Sequence, residues 1–94
     1  MTSPHWYRFD WDDENKKNGN IQHLRDHDIE PQEAEECVFT IMSSRSTIGF
    51  DDVYVLDGKT DRGRRLRLIF QDKGRGLARV FSGWELNPTK KRKK

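Results

Sequence analysis

The chain has 94 residues, of which 36% are charged and 32% hydrophobic, and its formal net charge is +2. This length suits one small domain, because the apolar surface is too small to be divided between two cores. Three Trp, five Phe and two Tyr exclude a disordered polyelectrolyte, and no apolar run approaches the ~18 residues of a membrane-spanning helix. The single cysteine, Cys37, excludes an internal disulfide, so we expect a cytoplasmic protein that contacts no membrane.

The charges are separated along the chain. Residues 10–36 hold ten acidic and three basic residues, whereas residues 58–94 hold thirteen basic and three acidic ones. A folded molecule with a basic surface can bind a polyanion such as RNA, and either surface can attract a protein partner. In the alternative interpretation, the two segments neutralise each other across the fold.

The first half of the chain predicts one strand and two helices. The opening HWYRFDW is rich in aromatic residues and alternates as a strand does. A polar loop follows, and Asn20 is a good N-cap for a helix in which Ile21 and His27 belong to one helical face. Pro31 suits the first position of a second helix. The predicted buried stripe of this second helix is Ala34, Cys37 and Val38.

The second half predicts an antiparallel meander. Residues 40–52 are rich in Ser and Thr without a sustained period, which predicts a variable loop that can contain a short strand. Three strands follow from residue 53, separated by glycine-rich turns. In the middle strand Leu66, Leu68 and Phe70 face one way, and Arg65, Arg67, Ile69 and Gln71 face the other. We therefore expect an α+β domain, in which two N-terminal helices pack on one face of a small antiparallel sheet of three to four strands.

Four motifs follow one another in a specific order. They are F-x-W-D at residues 9–12, a long motif with two histidines from Asn20 to Phe39, G-x-T-x-x-G-R-x-L at residues 58–66, and R-V-x-S at residues 79–82. Together they resemble the BrnT family, toxins of type II toxin–antitoxin pairs related to the RelE and ParE toxins. The resemblance covers about residues 7 to 92. It implies a RelE-like fold, with a single toxin domain over residues 1–89 and a basic tail over residues 90–94.

The resemblance implies a ribonuclease that needs no metal or cofactor and is restrained by a BrnA-like ribbon-helix-helix antitoxin. Such cleavage uses the 2′-hydroxyl of RNA as nucleophile, so the protein must transfer protons and stabilise the charge on the phosphorane. Arginine binds phosphate through a forked guanidinium, and histidine transfers protons near neutral pH. The candidate catalytic residues are Arg64, Arg79, His23 and His27. The candidate RNA-binding residues are Lys59, Arg62, Arg65, Arg67, Arg75 and Trp84.

Other interpretations apply to the same residues. His23 and His27 have the spacing of a zinc site but lack a third ligand nearby in the sequence, and they can instead be structural. The arginines can simply solubilise an exposed face, and Trp84 can belong to the core. Trp84 and Arg92 depart from the family pattern, which favours a non-catalytic module that binds RNA or a protein. A ParE-like inhibitor of a protein target is a third interpretation.

Overall fold

The computed structural model describes residues 6–47 and 50–86, without the side chains of residues 45–47 and 50–51. These residues form β1 (Arg8–Phe9), α1 (Asn20–Arg25), α2 (Pro31–Phe39), β2 (Ile41–Thr47), β3 (Phe50–Lys59), β4 (Arg65–Asp72) and β5 (Leu77–Glu85). The predicted tail over residues 90–94, with Arg92, lies outside the described residues. Neither described helix has the length and apolar composition that a membrane span requires.

The strands form one mixed sheet in the order β1-β5-β4-β3-β2. Strands β2 to β5 pair antiparallel, but β1 is parallel to β5 and pairs through only two residues, Arg8 and Phe9. The prediction of an α+β domain with two helices is confirmed. The sheet differs from the prediction of three to four antiparallel strands, because it has five strands among the described residues and one parallel pair.

Strand β2 occupies the segment for which the sequence predicts a variable loop that can contain a short strand. Residues 41–44 are all exposed, so no burial requires their side chains to alternate. The strand exists because its backbone pairs with β3, with Ser43 opposite Asp57 and Ser44 opposite Leu56. An edge strand of this kind carries no hydrophobic period, and that is why the pattern of the sequence does not reveal it.

Both helices pack on the same face of the sheet, as predicted. The alternate β4 residues Leu66, Leu68 and Phe70 are fully buried on that face. The predicted stripe of α2 is also fully buried and consists of Ala34, Cys37 and Val38. A Cβ atom at Gly58 of β3 would overlap the carbonyl oxygen of Cys37, so a glycine is needed for α2 to approach the sheet this closely.

Helix α1 is shorter than the sequence predicts. It ends at Arg25, and the chain turns away through Asp28, whose φ of 61° is left-handed. His27 therefore follows the helix instead of sharing a helical face with Ile21. The early end is consistent with the sequence, because Asp disfavours a helix interior and is among the residues that tolerate positive φ.

The sequence predicts that Asn20 is the N-cap of α1. In the structure Gly19 is the N-cap and Asn20 is the first residue of the helix. The Asn20 side chain is only 5% exposed. Its Oδ1 accepts a hydrogen bond from the Asp12 backbone N–H at 2.9 Å, and its Nδ2 donates to the Asp10 carbonyl at 2.9 Å. The Asn20 side chain thus connects the loop after β1 to the start of α1, and its hydrogen bonds satisfy polar groups in both segments.

The acidic residues of α2 make contacts that hold the fold together. Glu35 accepts a hydrogen bond from Trp11 Nε1 at 2.7 Å, and Glu36 accepts one from the Asp61 backbone N–H at 3.0 Å. These bonds join α2 to the loop after β1 and to the β3–β4 turn. The acidic face of α2 is therefore partly structural.

The reactivity of the buried Cys37 thiol reports whether the core is open. Burial, reinforced by the neighbouring Glu33 and Glu36 carboxylates, raises the pKa of its thiol to about 12. We expect negligible reaction with a disulfide reagent at pH 8 until the protein unfolds, since the thiolate is the reactive form. Because the folded pKa lies above the ordinary value of 9.0, this contribution to stability is complete below pH 9 and is lost as the pH rises toward 12.

The measurement is the rate of labelling at increasing urea concentrations. The rate should follow the fraction of unfolded protein measured by circular dichroism. Rapid labelling of the native chain in the absence of urea would contradict the buried position of Cys37.

Candidate active site and nucleic-acid interface

The two candidate catalytic arginines lie at opposite ends of the sheet. Arg64 immediately precedes β4, whereas Arg79 pairs with Gln71 near the end of that strand. Positions 64 and 71 are separated by about 23 Å of extended chain. One phosphate therefore cannot contact both guanidinium groups, and only one of them can belong to a given site.

Arg64 joins four segments of the fold. Its Nη1 donates to both Glu33 carboxylate oxygens at 2.8 Å and to the Asp28 carbonyl at 3.0 Å, and its Nη2 donates to Glu85 at 3.0 Å. Burial alone would lower the pKa of Arg64, but the hydrogen bonds to Glu85 and Glu33 raise it above the ordinary value. With its donors used in this way, Arg64 connects β4 to α2, to the turn before α2 and to β5.

Arg67 lies on the sheet face opposite the helices, hereafter the open face. Its Nε and Nη2 donate to the Asp57 carboxylate at 2.7 and 2.9 Å, and this bidentate pair raises the pKa of Arg67. Trp84 lies opposite Arg67 on β5 and is 39% exposed, so it is not a core residue. Arg67 is therefore oriented beside an exposed aromatic ring, but its charge is offset by Asp57.

Two cations at one end of the open face are less restricted. Lys59 of β3 lies directly opposite Arg65 of β4, and both side chains are exposed. Neither forms a salt bridge with another residue that the structure describes. This pair is the part of the open face best suited to hold a phosphate.

The two remaining candidates for RNA binding lie in turns far from each other. Arg62 belongs to the β3–β4 turn and lines a groove together with acidic residues of α2. Arg75 belongs to the β4–β5 turn, and its carbonyl accepts a hydrogen bond from Arg8 at 3.2 Å. The structure therefore does not gather all the predicted RNA-binding residues on one surface.

A groove of about 300 Å³ separates the start of α1 from β5. Its lining consists of Asn18, Gly19, Asn20, His23, Arg79, Phe81 and Ser82. The groove is accessible because β1 pairs with only the first two residues of β5, and among the described strands none borders β5 beyond Ala78 on that side. It brings together two of the four candidate catalytic residues, His23 and Arg79, and we call it the cleavage groove.

The two histidines are adjacent, and His23 is the one that lines this groove. His23 Nε2 lies 3.2 Å from Ser82 Oγ, and the His23 and His27 rings are in edge-to-face contact with centroids 5.4 Å apart. Both histidines are exposed. Among the described residues no three His, Cys, Asp or Glu side chains are arranged to hold a metal ion. An exposed imidazole oriented by a hydroxyl group is well placed to transfer protons to or from a substrate.

Arg79 is held at the groove by two carboxylates. Its Nη2 lies 2.8 Å from Asp12 and its Nη1 lies 3.5 Å from Asp10. The hydrogen bond from Arg79, followed by that from the Asn20 backbone, lowers the pKa of Asp12 to about 2. Asp12 is therefore charged near neutral pH, and a phosphate at the groove would share the Arg79 guanidinium with it.

An irregularity in β5 shapes the wall of the groove. Ile69 pairs with Ser82 and the next residue, Phe70, pairs with Val80, so Phe81 has no partner on β4. Phe81 is 39% exposed. Bulges of this kind redirect side chains and are frequent beside active sites. Ser82 was not predicted as a site residue, because the sequence contains no signal that would locate the bulge.

No protein-family model, curated protein or solved structure matches the chain. The BrnT resemblance therefore remains a prediction from the sequence motifs.

Proposed function

We propose that the chain is a metal-independent ribonuclease of the BrnT toxin type that cuts RNA in the cleavage groove. The observation that supports this proposal best is the meeting of His23, Arg79 and Ser82 on one accessible groove, with His27 against the His23 ring. A RelE-like architecture, a cytoplasmic location and a BrnA-like ribbon-helix-helix antitoxin belong to the same proposal.

In the proposed reaction His23 accepts the proton of the RNA 2′-hydroxyl, and the 2′-oxygen attacks the adjacent phosphorus. Arg79 stabilises the charge on the phosphorane. The bond from phosphorus to the 5′-oxygen then breaks, and that oxygen takes a proton from His27. The products are a 2′,3′-cyclic phosphate and a 5′-hydroxyl end. Ser82 holds the His23 ring in position.

The open face is the proposed binding surface for the RNA strand. Lys59 and Arg65 attract the phosphate backbone, Arg67 orients it, and Trp84 stacks on an unpaired base. Base stacking of this kind contributes about 1 to 3 kcal/mol. Arg62 and Arg75, which lie in the turns, add to the long-range attraction that weakens as salt is added.

A non-catalytic RNA-binding module is the second candidate function. It is favoured by one specific observation: Arg64, Arg67 and Arg79 are each engaged by carboxylates. A phosphorane would have to compete with Asp12 for Arg79, whereas binding through Lys59, Arg65 and Trp84 needs no such competition.

Incubation of the purified chain with RNA in the presence of EDTA tests the proposal. We expect fragments that end in 2′,3′-cyclic phosphate. A His23→Gln variant purified in the same way should release them far more slowly, which controls for contaminating nuclease. Retention of intact RNA by both proteins would instead support the binding module. If the chain neither binds nor cuts RNA, both candidate functions are overturned.

A further inference from the structure

A second groove, of about 360 Å³, adjoins the cleavage groove and has no part in the proposed chemistry. It is lined by Asn15, Lys17, Asn18, Gln22 and Asp26. Asn18 lines both grooves, so the two grooves are adjacent at this residue. Volumes of about 300 to 1,000 Å³ are typical of sites for small ligands, which include single nucleobases.

The loop that carries this groove is held by hydrogen bonds. The Lys16 backbone N–H donates to the Asp13 carbonyl at 2.9 Å, and Gln22 Nε2 donates to the Glu14 carbonyl at 2.6 Å. Asn18 adopts a φ of 63°, a left-handed conformation that asparagine accepts more readily than most residues. A loop whose backbone is held in this way can present side chains to a ligand with little loss of backbone entropy on binding.

The polar groups of the groove retain capacity for a ligand. The side-chain amides of Asn15 and Asn18 make no hydrogen bond with other residues that the structure describes, and the same is true of the Asp26 carboxylate. Lys17 forms no salt bridge within the described part of the chain, not even with Asp26. The groove therefore offers a carboxylate, an ammonium group and amides that do not satisfy one another.

These groups match the Watson–Crick edge of guanine. Guanine presents two adjacent N–H donors beside a carbonyl oxygen, and a carboxylate accepts from both donors while an ammonium or amide N–H donates to the oxygen. Adenine, cytosine and uracil each place an acceptor where guanine has one of its donors. Asp26 would then face an acceptor, and its desolvation would be uncompensated.

We propose that this second groove is a base-recognition subsite that selects guanine beside the cleaved phosphate, with Asp26 reading the two N–H groups and Lys17 the carbonyl oxygen. The inference rests on the proposed function, because it assumes that the strand in the cleavage groove is RNA. It adds a sequence preference that the cleavage chemistry does not require.

The test is the binding of short oligouridylate strands that carry G, A, C or U at one position and 2′-O-methyl groups that prevent cleavage. We expect the strand with guanine to bind about tenfold more tightly than the others. An Asp26→Asn variant should lose this preference, because one acceptor oxygen becomes a donor, and Lys17→Met should weaken it. Asp61→Asn removes the same charge from the distant β3–β4 turn and should retain it.

The outcomes separate this inference from the proposed function. Equal binding of all four strands, or a guanine preference that survives Asp26→Asn in a folded variant, would overturn the subsite and leave the ribonuclease proposal in place. If no strand binds and unmodified RNA is not cut, the proposed function fails and the subsite fails with it. Thermal unfolding of each variant establishes that it is folded.

Discussion

A His23→Gln variant is expected to cut RNA about 10²- to 10⁴-fold more slowly than the unmodified chain, which is the usual contribution of a general base. His23 is exposed and its ring nitrogen contacts Ser82, so the substitution removes a proton acceptor without opening the core. Glutamine retains a polar group near Ser82 but cannot take up a proton near neutral pH.

The pH dependence of the cleavage rate distinguishes the two histidines. If His23 is the base and His27 the acid, the rate should rise and then fall with pH, and His27→Gln should remove the fall on the alkaline side. Lys73→Gln, in the β4–β5 turn, is the control and should leave the profile unchanged. A fully active His23→Gln variant would rule out His23 as the base.

An Arg64→Ala variant is expected to lower the free energy of unfolding by about 2 to 3 kcal/mol while the folded fraction cuts RNA at the normal rate. The substitution removes the Arg64 donor from the Glu85 carboxylate and the Asp28 carbonyl, and leaves the Glu33 carboxylate only the Glu30 backbone N–H. The side chains of Arg64, Glu33 and Glu85 are 21–30% exposed. Water therefore compensates part of the lost interaction, and the loss of stability is smaller than for a fully buried ion pair.

Urea denaturation monitored by circular dichroism measures this effect. Arg62→Ala, two residues away in an exposed position, is the matched control and should change the stability by less than about 0.5 kcal/mol. Arg64→Lys keeps the charge but not the fork, so it should be intermediate. A variant at position 64 with normal stability and no cleavage would instead identify Arg64 as a catalytic residue, as the BrnT resemblance implies.

The ion pairs of the arginines are the part of the candidate site that the sequence predicts least. The sequence presents Arg64 and Arg79 as candidate catalytic residues and Arg67 as a candidate RNA-binding residue. In the structure each is paired with acidic residues, and for Arg79 the partners are Asp10 and Asp12 near the start of the chain. Such pairing depends on strand register and on the path of the loop after β1, and neither leaves a periodic signal in the sequence.

The amino-acid sequence by itself determined helix α2, the three meander strands and the face of β4 that is buried. These features follow from the chemistry of Pro31 at a helix start and from alternation along a strand, which act over a few neighbouring residues. Only the tertiary structure decided that β1 runs parallel to β5, that residues 41–47 form a strand, and that His23 meets Ser82. Each of these contacts joins residues that are distant along the chain or depends on backbone pairing at an edge, so no local pattern encodes it.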